Sequence, residues 1–221
     1  MRFLDTNQIG FDAQALGFPS VKSCQALVYQ TDVGLFGFHA SSSSLPVHRK
    51  KCDAFAQFVQ NRSLVHAPPT GNARGKCVIG VITRYERFGD KQGTKDNWGD
   101  ELIAFADSLG FTGHVYGIQV DSHVDKNESI YVRFDWSHYF RCNVRYKRWT
   151  KMEYYQAGVD VTNPERRNLA PDPNSVATPM HPHRDWTDTQ PGTDEQNVHR
   201  IAKTGEGNLH TISWVNFKKF R

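Results

Sequence analysis

No stretch of the chain approaches the roughly 20 consecutive apolar residues that a membrane-spanning helix needs, so a span of that kind is not expected. The opening residues Met1-Arg2-Phe3-Leu4-Asp5 lack the apolar segment of a secretory leader, and a soluble, leaderless protein is anticipated. Cysteine is scarce. Its four copies, at 24, 52, 77 and 142, form no CxxC and no regular spacing, which argues against a zinc ribbon or a disulfide framework and for a reducing compartment. A large charge of one sign is missing too: the net value of +4 is too mild to argue for nucleic acid. No internal repeat is present.

What the chain does have is enough apolar and aromatic material for a core, 38% and 12% of its 221 residues. A mean hydropathy of −0.61 adds that much of the rest is polar loop. The organising stretch runs from Ser23 to His39. Two short apolar runs, Gln25-Ala26-Leu27-Val28-Tyr29 and Leu35-Phe36-Gly37-Phe38, flank a Thr31-Asp32-Val33-Gly34 turn, which is the pattern of a β-hairpin. A hairpin carries the chain out and back, so Cys24 at its start and His39 at its end become neighbours. A thiol beside an imidazole is the minimal thiol nucleophile, because the ring can take the proton and stabilise the thiolate. A cysteine at the start of an apolar strand can equally be plain packing.

Residues 1–20, with Gly10, Gly17 and Pro19, read as an irregular lead-in. Ala40 to Pro46 is a small serine-rich connector. From Val47 to Asn61 the period becomes helical, with Cys52, Phe55, Phe58 and Val59 near one face and His48, Arg49, Lys50 and Gln57 elsewhere. Lys76 to Ile82 reads as a buried strand with Cys77 in the core. A polar loop over 85–96 leads to a second helix from Asn97 to Leu109, with Gly110 past its end. Three strands are expected next, His114 to Val120, Ser129 to Trp136 and Phe140 to Lys147. Beyond Trp149, prolines at 164, 171, 173, 179, 182 and 191 and the loss of apolar periodicity describe a long irregular C-terminal extension. Leu209 to Phe217 is a candidate last strand. The division expected is a hydrolase-like domain over 1–150 and a loop-rich extension over 151–221 packing on it.

The order hairpin, helix, strand, helix, three strands resembles the chemoreceptor glutamine deamidases of the CheD type and, more distantly, the catalytic domain of cytotoxic necrotising factor toxins. The residues that carry the resemblance are Ser23-Cys24, Gly37-Phe38-His39, Lys76-Cys77-Val78-Ile79-Gly80, Asn97-Trp98-Gly99-Asp100 and Tyr131-Val132-Arg133-Phe134, within about residues 20–137. Ser23 stands where the family usually has glycine, and Phe18 where a threonine is often found six residues before the cysteine. The resemblance implies an α+β fold, a three-layer α/β/β sandwich with the thiol at one edge. It also implies a bacterial protein, in the manner of a housekeeping enzyme or a delivered effector or toxin. The implied reaction is hydrolysis of a glutamine side chain of a protein substrate to glutamate, in the cytoplasm of the producing or a target cell, with no cofactor and no metal.

In that reaction Cys24 attacks the carboxamide carbon and His39 moves the proton. Amides of the turn around Ser23 and Cys24 face the oxyanion, and Ser20 or a main-chain carbonyl orients the imidazole. A primary amine in place of water would make the same site a transglutaminase. Three alternatives compete with this reading. His181, His183 and Asp185 offer metal ligands, but no further ligand sits at a recognisable spacing and a proline-rich loop is a poor rigid cage. The stretch 140–151 interleaves basic and aromatic side chains, the pairing of a nucleic-acid-binding module, yet its alternation is also that of a strand with one wet face. A catalytically inactive binding scaffold of the same fold is the remaining alternative.

Overall fold

A computed structural model of the chain describes residues 2–4, 7–22, 24–41, 45–66, 74–83, 97–120, 129–139, 141–149 and 209–221. The architecture is α+β, with two helices and two sheets. The strands are β1 (Arg2–Phe3), β2 (Ile9–Asp12), β3 (Ala15–Val21), β4 (Gln25–Thr31), β5 (Leu35–Ala40), β6 (Gly75–Ile82), β7 (His114–Gln119), β8 (Ser129–Asp135), β9 (Asn143–Trp149), β10 (His210–Thr211) and β11 (Lys218–Lys219). Helix α1 (Leu45–His66) lies between β5 and β6, and α2 (Asn97–Ser108) between β6 and β7.

One sheet runs β11-β7-β6-β4-β5-β2 and the other β1-β3-β8-β9-β10. In β4, β5 and β6 both faces are apolar, as strands sandwiched between two layers must be. Leu27, Tyr29, Phe36, Phe38, Val78 and Ile82 turn one way and pack on Cys52, Phe55, Val59, Leu102 and Phe105 of the helices. Ala26, Val28, Leu35, Cys77, Ile79 and Val81 turn the other way and pack on Leu16, Phe18, Ile130, Val132 and Phe134 of the second sheet. The period of two along each strand thus makes the layers α/β/β. No helix among the described residues is long and apolar enough to cross a membrane.

The second sheet packs tightly against Gly37. A Cβ there would meet Leu16 Cδ1 at 2.6 Å, Leu4 Cδ1 at 2.7 Å and Phe18 Cζ at 2.9 Å, so only glycine lets the second sheet close down next to His39. In the helical layer, α2 stops before Gly110, whose φ of 63° is the left-handed conformation of a helix C-terminus. The main-chain N–H of Gly110 donates to Asp107 and that of Phe111 to Ala106, which satisfies the last carbonyls.

Several expectations need correction. Residues 1–20 are not an irregular lead-in; they supply β1, β2 and most of β3. The glycines and proline that suggested a break are absorbed, since Gly10 pairs with Gly37 and Pro19 falls where the β3–β8 register shifts between Phe18 and Val21. Helix α1 extends beyond 47–61 at both ends, and His48 belongs to its buried side. The strand expected over 140–147 is displaced to Asn143–Trp149. Leu209 to Phe217 is not one strand either. Residues 209–221 pair β10 with β9 in one sheet, make a 3-10 turn at Trp214–Asn216, and pair β11 with β7 in the other sheet. Residues 151–208, which hold most of the proline-rich stretch, lie outside the described residues.

Candidate active site

The hairpin forms as its sequence dictates. Thr31 closes the turn by donating its main-chain N–H and its hydroxyl to the Gly34 carbonyl, both at 2.9 Å. From that turn the ladder runs to Ala26 opposite His39 and Gln25 opposite Ala40. Cys24 directly precedes Gln25, just past the end of this ladder, at the same end of the hairpin as His39. Cys24 is half-buried, whereas Cys52, Cys77 and Cys142 are buried. Burial pushes the Cys77 thiol up to about 12 and holds those of Cys52 and Cys142 well above the ordinary range. Those three sulfurs stay protonated and inert.

His39 is fully buried and its ring is fixed. Nδ1 lies 2.8 Å from the Leu4 carbonyl oxygen, and because a carbonyl only accepts, Nδ1 is the N–H of the neutral ring and Nε2 is its basic nitrogen. The ring edge meets Phe18 at 5.9 Å and 70°. The main chain of His39 is clamped as well: its N–H donates to Gln8 at 2.9 Å, and its carbonyl accepts from Asn7 at 2.7 Å. All of these contacts come from the first 20 residues, so the segment expected to be an irregular lead-in is what orients the imidazole.

A group that the sequence did not single out completes this corner. Lys51 projects from α1, is only 3% exposed, and donates from Nζ to Asn7 Oδ1 at 3.0 Å and Ser41 Oγ at 2.7 Å. Ser41 follows Ala40, the partner of Gln25, so it lies with Cys24 at the open end of the hairpin. Asn7 holds a φ of 63°, a conformation asparagine tolerates better than most residues, and ties Lys51 and the His39 carbonyl together. Burial lowers the Lys51 pKa, opposed by the negative charge that Cys24, Cys52 and Glu101 can carry. The available signal was a lysine inside the apolar stripe, four residues before Phe55.

Beside it lies a second cysteine–histidine pair. Cys52 Sγ is 3.3 Å from His48 Nε2, but the same nitrogen lies 3.1 Å from the Glu101 carbonyl oxygen. A nitrogen that donates to a carbonyl carries its proton and cannot take another from a thiol. With the sulfur also sealed from solvent, this pair is packing. Next to it, Gln25 Nε2 donates to the buried Glu101 carboxylate, tying β4 to α2.

Ser23 lies outside the described residues, as does the side chain of Ser20, whose backbone belongs to β3. His181, His183 and Asp185 also lie outside them. In the basic–aromatic stretch, Cys142 and Val144 are buried while Asn143 is exposed, which is the one-wet-face pattern. Its Arg145, together with Arg133, pairs with Asp135 at 2.7 Å. No protein-family model matches the chain, and no curated protein matches it by sequence.

Proposed function

We propose that the chain is a thiol-dependent amidohydrolase that converts a protein glutamine side chain to glutamate, with Cys24 as nucleophile and His39 as general base and acid. The observation that carries this reading is the hydrogen bond from His39 Nδ1 to the Leu4 carbonyl, which leaves the other ring nitrogen basic at the end of the hairpin where the half-buried Cys24 stands. The substrate class is supported by the order of motifs from Ser23-Cys24 to Tyr131-Val132-Arg133-Phe134, which resembles the protein glutamine deamidases.

His39 Nε2 takes the Cys24 proton, and the thiolate forms a bond to the carboxamide carbon. The tetrahedral intermediate collapses as the C–N bond breaks, and ammonia leaves with the proton returned from His39. Water, deprotonated by the same nitrogen, then adds to the thioester. The C–S bond breaks, releasing glutamate and regenerating the thiolate–imidazolium pair. The site of action on this reading is the cytoplasm of the producing or a target cell.

The test is intact-mass spectrometry of glutamine-bearing candidate proteins, bacterial chemoreceptor fragments among them, incubated with the wild-type chain or with Cys24→Ala. A gain of about one dalton per converted carboxamide, present with the wild type and absent with the variant, is expected. A gain that survives Cys24→Ala, or no gain on any candidate, overturns the reading.

A further inference from the structure

We propose that Lys51 is a positioning residue for the nucleophile: its ammonium, seated on Asn7 and Ser41 at the open end of the hairpin, holds the Cys24 sulfur as thiolate and so favours proton transfer to His39. The proposal rests on Cys24 being the nucleophile of the reading above. It departs from a plain cysteine–histidine pair in assigning the stabilising cation to a third element, helix α1.

An ammonium is strongly hydrated, and burying one is costly unless its charge is met. Lys51 is 3% exposed, and its two hydrogen bonds go to neutral oxygens, the Asn7 amide and the Ser41 hydroxyl. Those two bonds use two of its three N–H donors. They fix where the charge sits, at the end of the hairpin where Ala40 pairs with Gln25, the residues next to Ser41 and Cys24. Three acidic groups bear on the ammonium, from three places: Cys24 ahead of β4, Cys52 on α1 and Glu101 on α2. Cys52 does not supply the countercharge, because its own thiol is driven up by burial. Glu101 is already engaged by Gln25 and is a neighbour of His48, whose Nε2 meets its carbonyl. Cys24 is the half-buried member of the three and sits directly before Gln25 at the same end of the hairpin as Ser41, so it is the group whose ionisation Lys51 can shift.

Asn7 extends the consequence to the base. Its side chain accepts from Lys51 while its N–H donates to the His39 carbonyl, so one left-handed residue fixes the cation and the base to a common support. A positive charge beside a thiol is the usual means of making thiolate available at neutral pH.

The experiment is the pH dependence of iodoacetamide labelling of Cys24 in the folded full-length chain, taken as the difference between protein with and without Cys24→Ala. Lys51→Met is expected to raise the midpoint by about one pH unit or more and to slow labelling at pH 7 about ten-fold, while Lys51→Arg stays near the wild type. Should Lys51→Met fail to fold, Ser41→Ala, which loosens the seat but keeps the charge, is expected to raise the midpoint by a smaller amount. A midpoint unmoved in folded Lys51→Met, or in Ser41→Ala where that is the variant measured, overturns the proposal. Labelling reads the thiol and not turnover, so the two readings fail separately. A shifted midpoint with no protein gaining mass leaves Lys51 in place and removes the deamidase, whereas deamidation with an unmoved midpoint does the reverse.

Discussion

Ala26 and His39 face each other across the β4–β5 ladder, and this single pairing puts Cys24 and the imidazole at one corner of the six-stranded sheet. The corner is closed from three directions. Leu4 and Asn7 come from the segment between β1 and β2, Lys51 from α1, and Ser41 from just past the end of β5.

The hydrogen bond to Leu4 makes His39→Asn a clean substitution. The asparagine amide can still donate to the Leu4 carbonyl, whereas the basic nitrogen is gone. Ammonia release is expected to fall by about 10²–10⁴-fold, the usual contribution of a positioned general base, with the melting temperature little changed. Activity retained at the wild-type level in His39→Asn would remove the imidazole from the mechanism.

Burial separates the cysteines into one that is half-buried and three that are sealed. Native protein at pH 7–8 is expected to take up a single alkyl group, at Cys24, and to take up all four only after unfolding, as read by peptide mass mapping. Alkaline pH adds a stability signature. Cys77 has an ordinary value of 9.0 and is raised to about 12 in the fold, so above pH 9 the unfolded chain releases a proton that the folded chain keeps. Its contribution is complete below pH 9 and is lost as pH rises towards 12. Cys77→Ala is therefore expected to flatten the alkaline fall in the denaturation midpoint. A Cys77 that labels in the native state at pH 8 contradicts the assignment.

The hairpin, the buried Lys76 to Ile82 strand, α2 and its Gly110 stop were legible because local signals agreed there: apolar runs bounded by turn residues, and a helical period ending on glycine. The N-terminal strands were not. Their glycines and proline are breakers by local propensity, and tertiary pairing overrides that propensity at Gly10 and Pro19. At the site, the pairing of Ala26 with His39 could be read because one turn fixes the register. Lys51, Asn7 and Leu4 could not, since their meeting depends on α1 and β1 docking on the hairpin, and nothing in sequence spacing encodes a contact between positions 7 and 51. The carbonyl of Leu4 is further hidden, because a main-chain oxygen has no residue signature.

Phe18 tests whether that carbonyl is a sufficient support for the base. The ring is fully buried, 5.9 Å from the His39 ring and 5.4 Å from that of Phe134, where the resembling deamidases often carry threonine. Phe18→Thr empties this space and is expected to destabilise the fold by about 3–5 kcal/mol, the range for truncating a buried phenylalanine, read as a lower denaturant midpoint. Phe18→Leu keeps most of the volume and is expected to cost about 1–2 kcal/mol. If Leu4 alone holds the tautomer, ammonia release per folded molecule in Phe18→Leu stays within a few-fold of wild type, since the Nδ1 bond survives the change. A threonine that raised turnover per folded molecule would mean that the hydroxyl orients the imidazole better than the Leu4 carbonyl does. The aromatic ring would then be the reason for a weaker site, and the orientation assigned here to the main chain would be wrong.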